Sequence, residues 1–469
     1  MTLAHDPSIA LVESRLSAAR GALLSAAGAF DPLLTAGADR SALETPLEDG
    51  TTSGSESILT SVDLTRLLRT GLSLEPGLTL ERAGSGSDAV NLGTASFTLR
   101  QPLLRGRGRD VVAAGELAAA REVEASRLDL EHSVAERLVA AVSRYWVLKA
   151  AVLDLEVLRV TEERTRELLE TTRRLIAADV TPAAELVQVE AELASREVSR
   201  IAGEQTLFQA RQALGREIGL EPAAIAGLSL PSATFPTVTP EDVPLPQAAA
   251  GAFIDLALAR RADLRATRER QAAAERLLAA AEDALETRLD LVLTPSYSGL
   301  SPGGAAEDFF SPLFRNVPGL SATLGFQLSW PTWNRRAEGD LIQARAAAEQ
   351  SALAVELAVK TIGADVPAAL DAVRRGAQQL DRITEAVGYY EETVDNELKK
   401  LRAGSSTLID VITQRNRLIA AQQQRVSAQL ALALALLDLR FQTGTLVDAN
   451  AAEPGAHTIT LERLTTLPL

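Results

Sequence analysis

The chain has 469 residues, with 47 Lys and Arg against 62 Asp and Glu and a net charge of −15. That balance argues against nucleic acid as the main partner, since neutralising phosphates needs a basic surface. There is no cysteine, so disulfides, zinc–thiolate sites and thiol catalysis are excluded.

Apolar residues make up 46% but aromatics only 4%. The Ala-Leu-Glu-Arg-rich stretches suit long helices packed at close range. His5, His132 and His457 are far apart in sequence. With no catalytic constellation in view, the sequence predicts no enzyme, no metal site and no cofactor. The densest apolar run, Leu430 to Leu437, is far short of the ~18–20 residues that cross a bilayer as a helix. Short alternating strands of a membrane β-barrel are not excluded by that test.

In chain order, residues 8–29 read as helix and 31–100 as a β segment rich in Gly, Ser and Thr. A long helix without proline follows over 106–178. Its positions Val134, Leu138, Ala141, Tyr145, Leu148, Val152 and Leu155 step alternately by 4 and 3, the seam of a coiled coil rather than a broad stripe. Thr181-Pro182 turns the chain into a helix over 182–217, where a proline in the first turn loses no hydrogen bond. These elements form a first repeat, 1–219. Residues 220–252 hold Pro222, Pro231, Pro236, Pro240, Pro244 and Pro246 and read as a linker with one strand at Leu228-Ser229-Leu230.

The pattern then recurs over 253–444, with a helix at 254–287, a β segment at 289–330, a long helix at 335–402 and a helix at 406–442, before a tail at 445–469. Ser8-Ile9 falls on Asp263-Leu264 at an offset of 255, Gln101-Pro102 on Trp330-Pro331 at 229, and Gly219 on Gly444 at 225. Two tandem halves of like order are a specific signal. Pro367 inside the second long helix is expected to kink or interrupt it.

In Leu320 to Trp330 every even position is apolar and every odd one small or polar, and Leu289 to Tyr297 and Leu92 to Leu99 alternate nearly as cleanly. Such strands suit a membrane barrel with lipid outside and water inside. Periodicity alone fits a half-buried soluble sheet equally well. The context, strands interrupting very long helices, favours the barrel.

The two-half layout, Arg261-Ala262-Asp263-Leu264-Arg265-Ala266, Leu99-Arg100-Gln101-Pro102-Leu103-Leu104-Arg105-Gly106 and the turn Arg402-Ala403-Gly404-Ser405-Ser406-Thr407-Leu408-Ile409-Asp410-Val411 together resemble the TolC-like outer-membrane efflux family (outer membrane factors). The resemblance implies a mainly α fold with a membrane β-barrel. Long coiled-coil hairpins would form an α-barrel, and four strands per chain would enter a trimeric twelve-stranded β-barrel. It implies a passive outer-membrane duct of a tripartite efflux or type I secretion system, its helical part in the periplasm. The partners would be a homotrimer, a periplasmic adaptor, an inner-membrane pump and the lipid bilayer. The rival reading is a soluble or peripheral coiled-coil scaffold.

By the same resemblance Asp410 lines a periplasmic aperture. Thr413 stands where a second acidic residue can occur, and Ser406 where a basic partner can. A carboxylate stabilising a helix N-terminus is the other reading of Asp410. The turns containing Asp179, Val180, Thr181, Gly404 and Ser405 would dock the adaptor. Trp330, Trp333, Tyr297 and Arg105 are expected at the membrane interface, although core packing would equally suit the three aromatics. Arg105-Gly106-Arg107-Gly108-Arg109 lacks the spacing and lysine of a phosphate loop and reads as a strand-to-helix join. Val62-Asp63-Leu64 and Leu72 to Leu80, inside the 26 residues by which the first β segment exceeds the second, are expected to form a hairpin projecting from the barrel. Met1 to Pro7 has neither the basic start nor the apolar stretch of an export signal, so a signal is expected upstream of Met1.

Overall fold

The structure is a computed structural model and describes residues 7–84, 88–178, 182–244, 246–314, 319–403, 405–447 and 466–468. The chain divides into two compact units, one of Leu16–Ser126 with Thr267–Val355, the other of Met1–Arg15, Arg127–Ala266 and Glu356–Leu469.

The first unit is built on a six-stranded antiparallel sheet in sequence order: β1 (Leu33–Pro46), β2 (Thr52–Leu67), β3 (Ser73–Ala83), β4 (Val90–Pro102), β5 (Arg288–Pro302) and β6 (Leu320–Ser329). The expected four strands per chain are therefore corrected to six. The extra hairpin does not project, because β2 pairs with β1 from Leu33↔Thr65 to Pro46↔Thr52 and β3 with β4 from Ser73↔Arg100 to Ala83↔Val90. The physical reason is that β2 and β3 alternate in the same phase as their neighbours, so their side chains extend both faces of the sheet. The β5–β6 connection contains α8 (Ala306–Phe310) and one turn of 3₁₀-helix at Ser311–Leu313. It packs on the sheet where Gly93 and Gly299 leave room. A Cβ on Gly93 would lie 2.9 Å from the Pro312 side chain, and one on Gly299 would lie 2.1 Å from the Pro312 carbonyl oxygen.

The helices are α1 (Pro7–Ala27), α2 (Arg109–Val112), α3 (Ala114–Ala177), α4 (Ala184–Glu217), α5 (Pro222–Ile225), α6 (Pro246–Arg260), α7 (Ala262–Asp283), α9 (Arg335–Arg402) and α10 (Leu408–Gln442). Among the described residues none is long and apolar enough to cross a membrane. The helix expected over 254–287 is instead the pair α6 and α7, broken at Arg261. The left-handed Gly444 (φ +66°) packs its backbone against Arg260 and Arg261 there, and the Arg261 guanidinium bonds both Asp263 and Gln442. No strand forms at Leu228-Ser229-Leu230. Leu228 packs with Ala210 and Leu214 of α4, so its apolar side chain is satisfied without a ladder. Pro367 does not interrupt α9, which runs unbroken from Arg335 to Arg402. Val366, Ala369 and Leu370 are buried on either side of Pro367, so packing holds the helix through the proline despite the hydrogen bond it lacks.

The second unit shows that α3 carries two apolar stripes rather than one seam. Leu148 and Ala151 pack with Ala210 and Leu214 of α4. Val142, Trp146 and Ala150 pack with Val426, Ala433 and Leu437 of α10. A helix flanked by neighbours on two sides must bury two faces, and alanine keeps those neighbours close. Trp146 is the largest side chain fully buried, stacked on Phe235 at 5.1 Å between ring centroids. Trp146→Ala is expected to cost about 3–5 kcal/mol in urea unfolding followed by far-UV circular dichroism. Trp146→Phe should cost a fraction of that, because the buried indole Nε1 has no hydrogen-bond partner to lose.

Candidate functional site

Two features stand out, the faces of the sheet and the turn leading into α10. Across all six strands one row of paired residues reads Ala36, Val62, Leu78, Ala95, Tyr297 and Leu320. The next row reads Thr35, Asp63, Gly77, Ser96, Ser296 and Ser321. The first is wholly apolar and the second wholly small or polar, and because strand side chains alternate they lie on opposite faces.

The polar face carries its own ladder of hydroxyl hydrogen bonds. Ser296 and Ser321 are 2.8 Å apart, Thr98 and Thr294 3.2 Å, and Thr94 and Ser298 3.2 Å. Towards Arg288 and Ser329 the same face holds Arg100, which donates to Gln327 at 2.5 Å and to the buried Asp290 at 3.4 Å, while Arg288 reaches Asp290 at 2.9 Å. On the apolar face Leu320, Leu324, Phe326 and Leu328 are each at least 65% exposed, a greasy surface that no described residue covers.

Of the expected interface residues, Trp330 and Trp333 follow the end of β6 and are almost fully exposed. Tyr297 is elsewhere, in the apolar row opposite Leu320 at the other end of that strand. Arg105 is half-buried in the β4–α2 connection and points at the Ala284 carbonyl, 3.5 Å away. The neighbouring glycines Gly106 and Gly108 have φ of +80° and +92°. The glycines in the Arg-Gly repeat therefore serve a turn, and the amide of Gly106 donates to the Asp283 carboxylate at 2.8 Å. Among the described residues no cluster of His, Asp and Glu is arranged to hold a metal.

At the other site, α10 begins with a reciprocal cap. The Thr407 hydroxyl accepts from the Asp410 amide at 3.3 Å, and the Asp410 carboxylate accepts from the Thr407 amide at 3.2 Å and its hydroxyl at 2.6 Å. Two otherwise orphaned donors are satisfied together. The Thr407 hydroxyl, then its amide, holds the Asp410 carboxyl below the ordinary carboxylate value, with Lys400 adding to the effect.

Ser406 donates to Glu397 of α9, which also pairs with Lys400 at 3.1 Å. Glu397 is the residue missed in the sequence. It has no counterpart in the turn motif and is brought in only by the hairpin. The Ser406 hydroxyl, then Lys400, lowers its carboxyl pKa, and the nearby Asp410 charge opposes them. Thr413, one turn on from Asp410, spends its hydroxyl on the Ile409 carbonyl at 2.8 Å. Leu408 packs with Leu168 and Leu169 of α3 and Val189 of α4, which brings the starts of α10 and α4 together beside α3. Asp179, Val180, Thr181 and Gly404 lie outside the described residues. Ser405 is described, its hydroxyl donating to the Lys400 carbonyl at 3.2 Å.

Residues 253–445 match the outer membrane efflux protein family. The likeness to the TolC-like outer-membrane efflux family read from the sequence is thereby shown. The outer membrane protein VceC of Vibrio cholerae has the same fold, with a TM-score of 0.66 and 16% identity over 94% of this chain and 94% of its own. The CmeC outer membrane channel of Campylobacter jejuni gives 0.66 and 14% identity over 95% and 84% of the two chains. The MtrE outer membrane channel of Neisseria gonorrhoeae, in its open state, gives 0.62 and 16% over 94% and 87%. No curated protein sequence matches. The chain is thus mainly helical with one sheet, in the fold of outer-membrane efflux channels.

The cap gives a pH prediction. A carboxylate whose pKa is depressed in the folded state contributes stability above its ordinary pKa and loses it as pH falls through the depressed value. Amide exchange over 405–412, corrected for intrinsic rate, should therefore accelerate on acidification, and in Asp410→Asn that pH dependence should flatten. Thr407→Ala should cost about 1 kcal/mol of protection at the same amides near neutral pH.

Proposed function

We propose that the protein is a passive, trimeric export duct of a bacterial outer membrane. It would be the exit channel of a tripartite efflux or type I secretion system, with the helical unit in the periplasm. The observation that carries this reading is the pair of adjacent sheet rows, one wholly apolar and one wholly polar. A soluble sheet covers its apolar face with protein, whereas here Leu324, Phe326 and Leu328 are left bare. Lipid is the solvent that suits such a face, and a water-filled lumen suits the hydroxyl ladder.

The aromatics support the same placement. Leu320, which pairs with Tyr297, and Trp330 are ten residues apart along the chain, or about 33 Å at the strand rise. A strand tilted by ~40° turns that into roughly 25 Å of height, the thickness of a barrel's apolar band. Tyr297 at one boundary and Trp330 and Trp333 at the other are then interfacial anchors.

Energy for transport would come from an inner-membrane pump acting through a periplasmic adaptor docked on the hairpin turns. Three copies of Asp410 around the channel axis would set an acidic ring that favours cations. The chain's own residues perform no covalent step. The purified protein should insert into planar bilayers as a conducting channel. Asp410→Ala should lower its cation selectivity, measured as a shift in reversal potential under a salt gradient. A protein that stays soluble and monodisperse after detergent removal would instead be the coiled-coil scaffold.

A further inference from the structure

We propose that the Thr52–Ala83 hairpin is part of the pore wall, so that three chains close a barrel of eighteen strands around a lumen wider than twelve strands allow. The inference rests on the duct reading above and adds the size of the pore and the edges that join the copies.

The hairpin is built as wall in three respects. Its ladders are continuous with β1 on one side and β4 on the other. It supplies Val62 and Leu78 to the apolar row, and Asp63 and Gly77 to the polar one. Gly77 leaves room for the Asp63 side chain, whose carboxylate would have to shift from a Cβ 2.6 Å away. Both ends of the hairpin are also tied to the elements beside it. At the β2–β3 turn, Arg69 makes a two-point ion pair with Glu116 of α3 at 2.6 and 2.7 Å, and the Thr70 carbonyl accepts from the Gly108 amide at 3.1 Å. Gly71, at φ +96°, sits so close that a Cβ would be 2.3 Å from the Gly106 carbonyl oxygen. At the far end of β3, Arg82 donates to the fully buried Asn91 of β4 at 2.7 Å and to the carbonyls of Gly304 and Ala305 at 3.2 and 2.6 Å. An appendage swinging clear of a barrel would have neither set of ties.

Parity decides what the open edges can accept. Inserting two strands leaves β1 and β6 antiparallel, as they would be with four, so β6 of one copy can pair with β1 of the next in the up-and-down order of the whole sheet. Both edges are exposed along nearly their whole length. Unpaired strand edges are not tolerated in lipid, and the occupant that satisfies both edges at once is a second copy of this chain. With strands ~4.8 Å apart and tilted ~40°, twelve of them give a backbone diameter of roughly 24 Å and eighteen roughly 36 Å. Porin barrels of sixteen to eighteen strands enclose an open aqueous channel.

The absence of cysteine makes the test direct. Ser61→Cys and Thr79→Cys on the polar face, and Val62→Cys and Leu78→Cys on the apolar face, are introduced singly into the full chain and reconstituted in phosphatidylcholine vesicles. A wall predicts that a charged maleimide labels the first pair, while a bimane on the second pair is quenched by doxyl-labelled lipid, in an assembly whose native mass is three chains. Labelling by the charged maleimide at all four positions, with no lipid quenching, would overturn the inference and leave the duct intact. The alternating pattern in an assembly of two chains would mean twelve strands and would overturn it as well. Leu324→Cys on β6 reads the parent proposal separately. If lipid does not quench a bimane there, the outer-membrane duct fails and the eighteen-stranded pore fails with it.

Discussion

Each backbone N–H and C=O in a sheet kept from water must find a partner. Among the described residues the strands pair across five ladders, and the outer edges of β1 and β6 have no strand beside them. Much else in the sheet unit follows from meeting that condition. The strands alternate so that one face can be greasy while the other is hydroxyl-lined. The turn at Gly71 is pressed against Gly106 so that β2 and β3 stay in register with the strands around them. The Arg82–Asn91 network closes off polar groups where the β5–β6 connection crosses the apolar face.

The helical unit answers a different constraint, which is closeness. Its buried clusters are small and local, so each helix presses on its neighbours through small side chains. Gly203 of α4 shows the tolerance: a Cβ there would come within 2.7 Å of Leu158. Trp146 is the exception in size. It is accommodated because Ala150 and Ala433 beside it occupy little room. Dispersion summed over many short contacts, rather than a few large burials, is what holds such helices together.

Local pattern in the sequence made most of this legible. The strand segments, the alternation and the turn motif before α10 could all be read because each depends on local pattern. What could not be read depends on pairing at a distance. The Val62–Leu64 and Leu72–Leu80 stretches alternate like their neighbours, yet only the ladders to β1 and β4 reveal that they lie within the sheet. The seam through Val134 and Leu155 follows one line along α3, whereas the helix buries two faces, one against α4 and one centred on Trp146. Glu397 escaped notice for a related reason: it joins Ser406 across a hairpin, nine residues away in sequence. The motifs for Asp410 allowed both a cap and an aperture, and the Thr407 hydrogen bonds fix the first of these roles.

That bond gives the Asp410 carboxylate two simultaneous duties. The oxygen that would present negative charge to passing ions is also the latch that starts a 35-residue helix. A single proton would then silence the charge and loosen the latch in one event. Permeation and mechanical integrity at this end of the duct would share one acid–base equilibrium. A residue in that position is difficult to retune, because weakening its charge for one cargo also softens the rim against which a partner must lean.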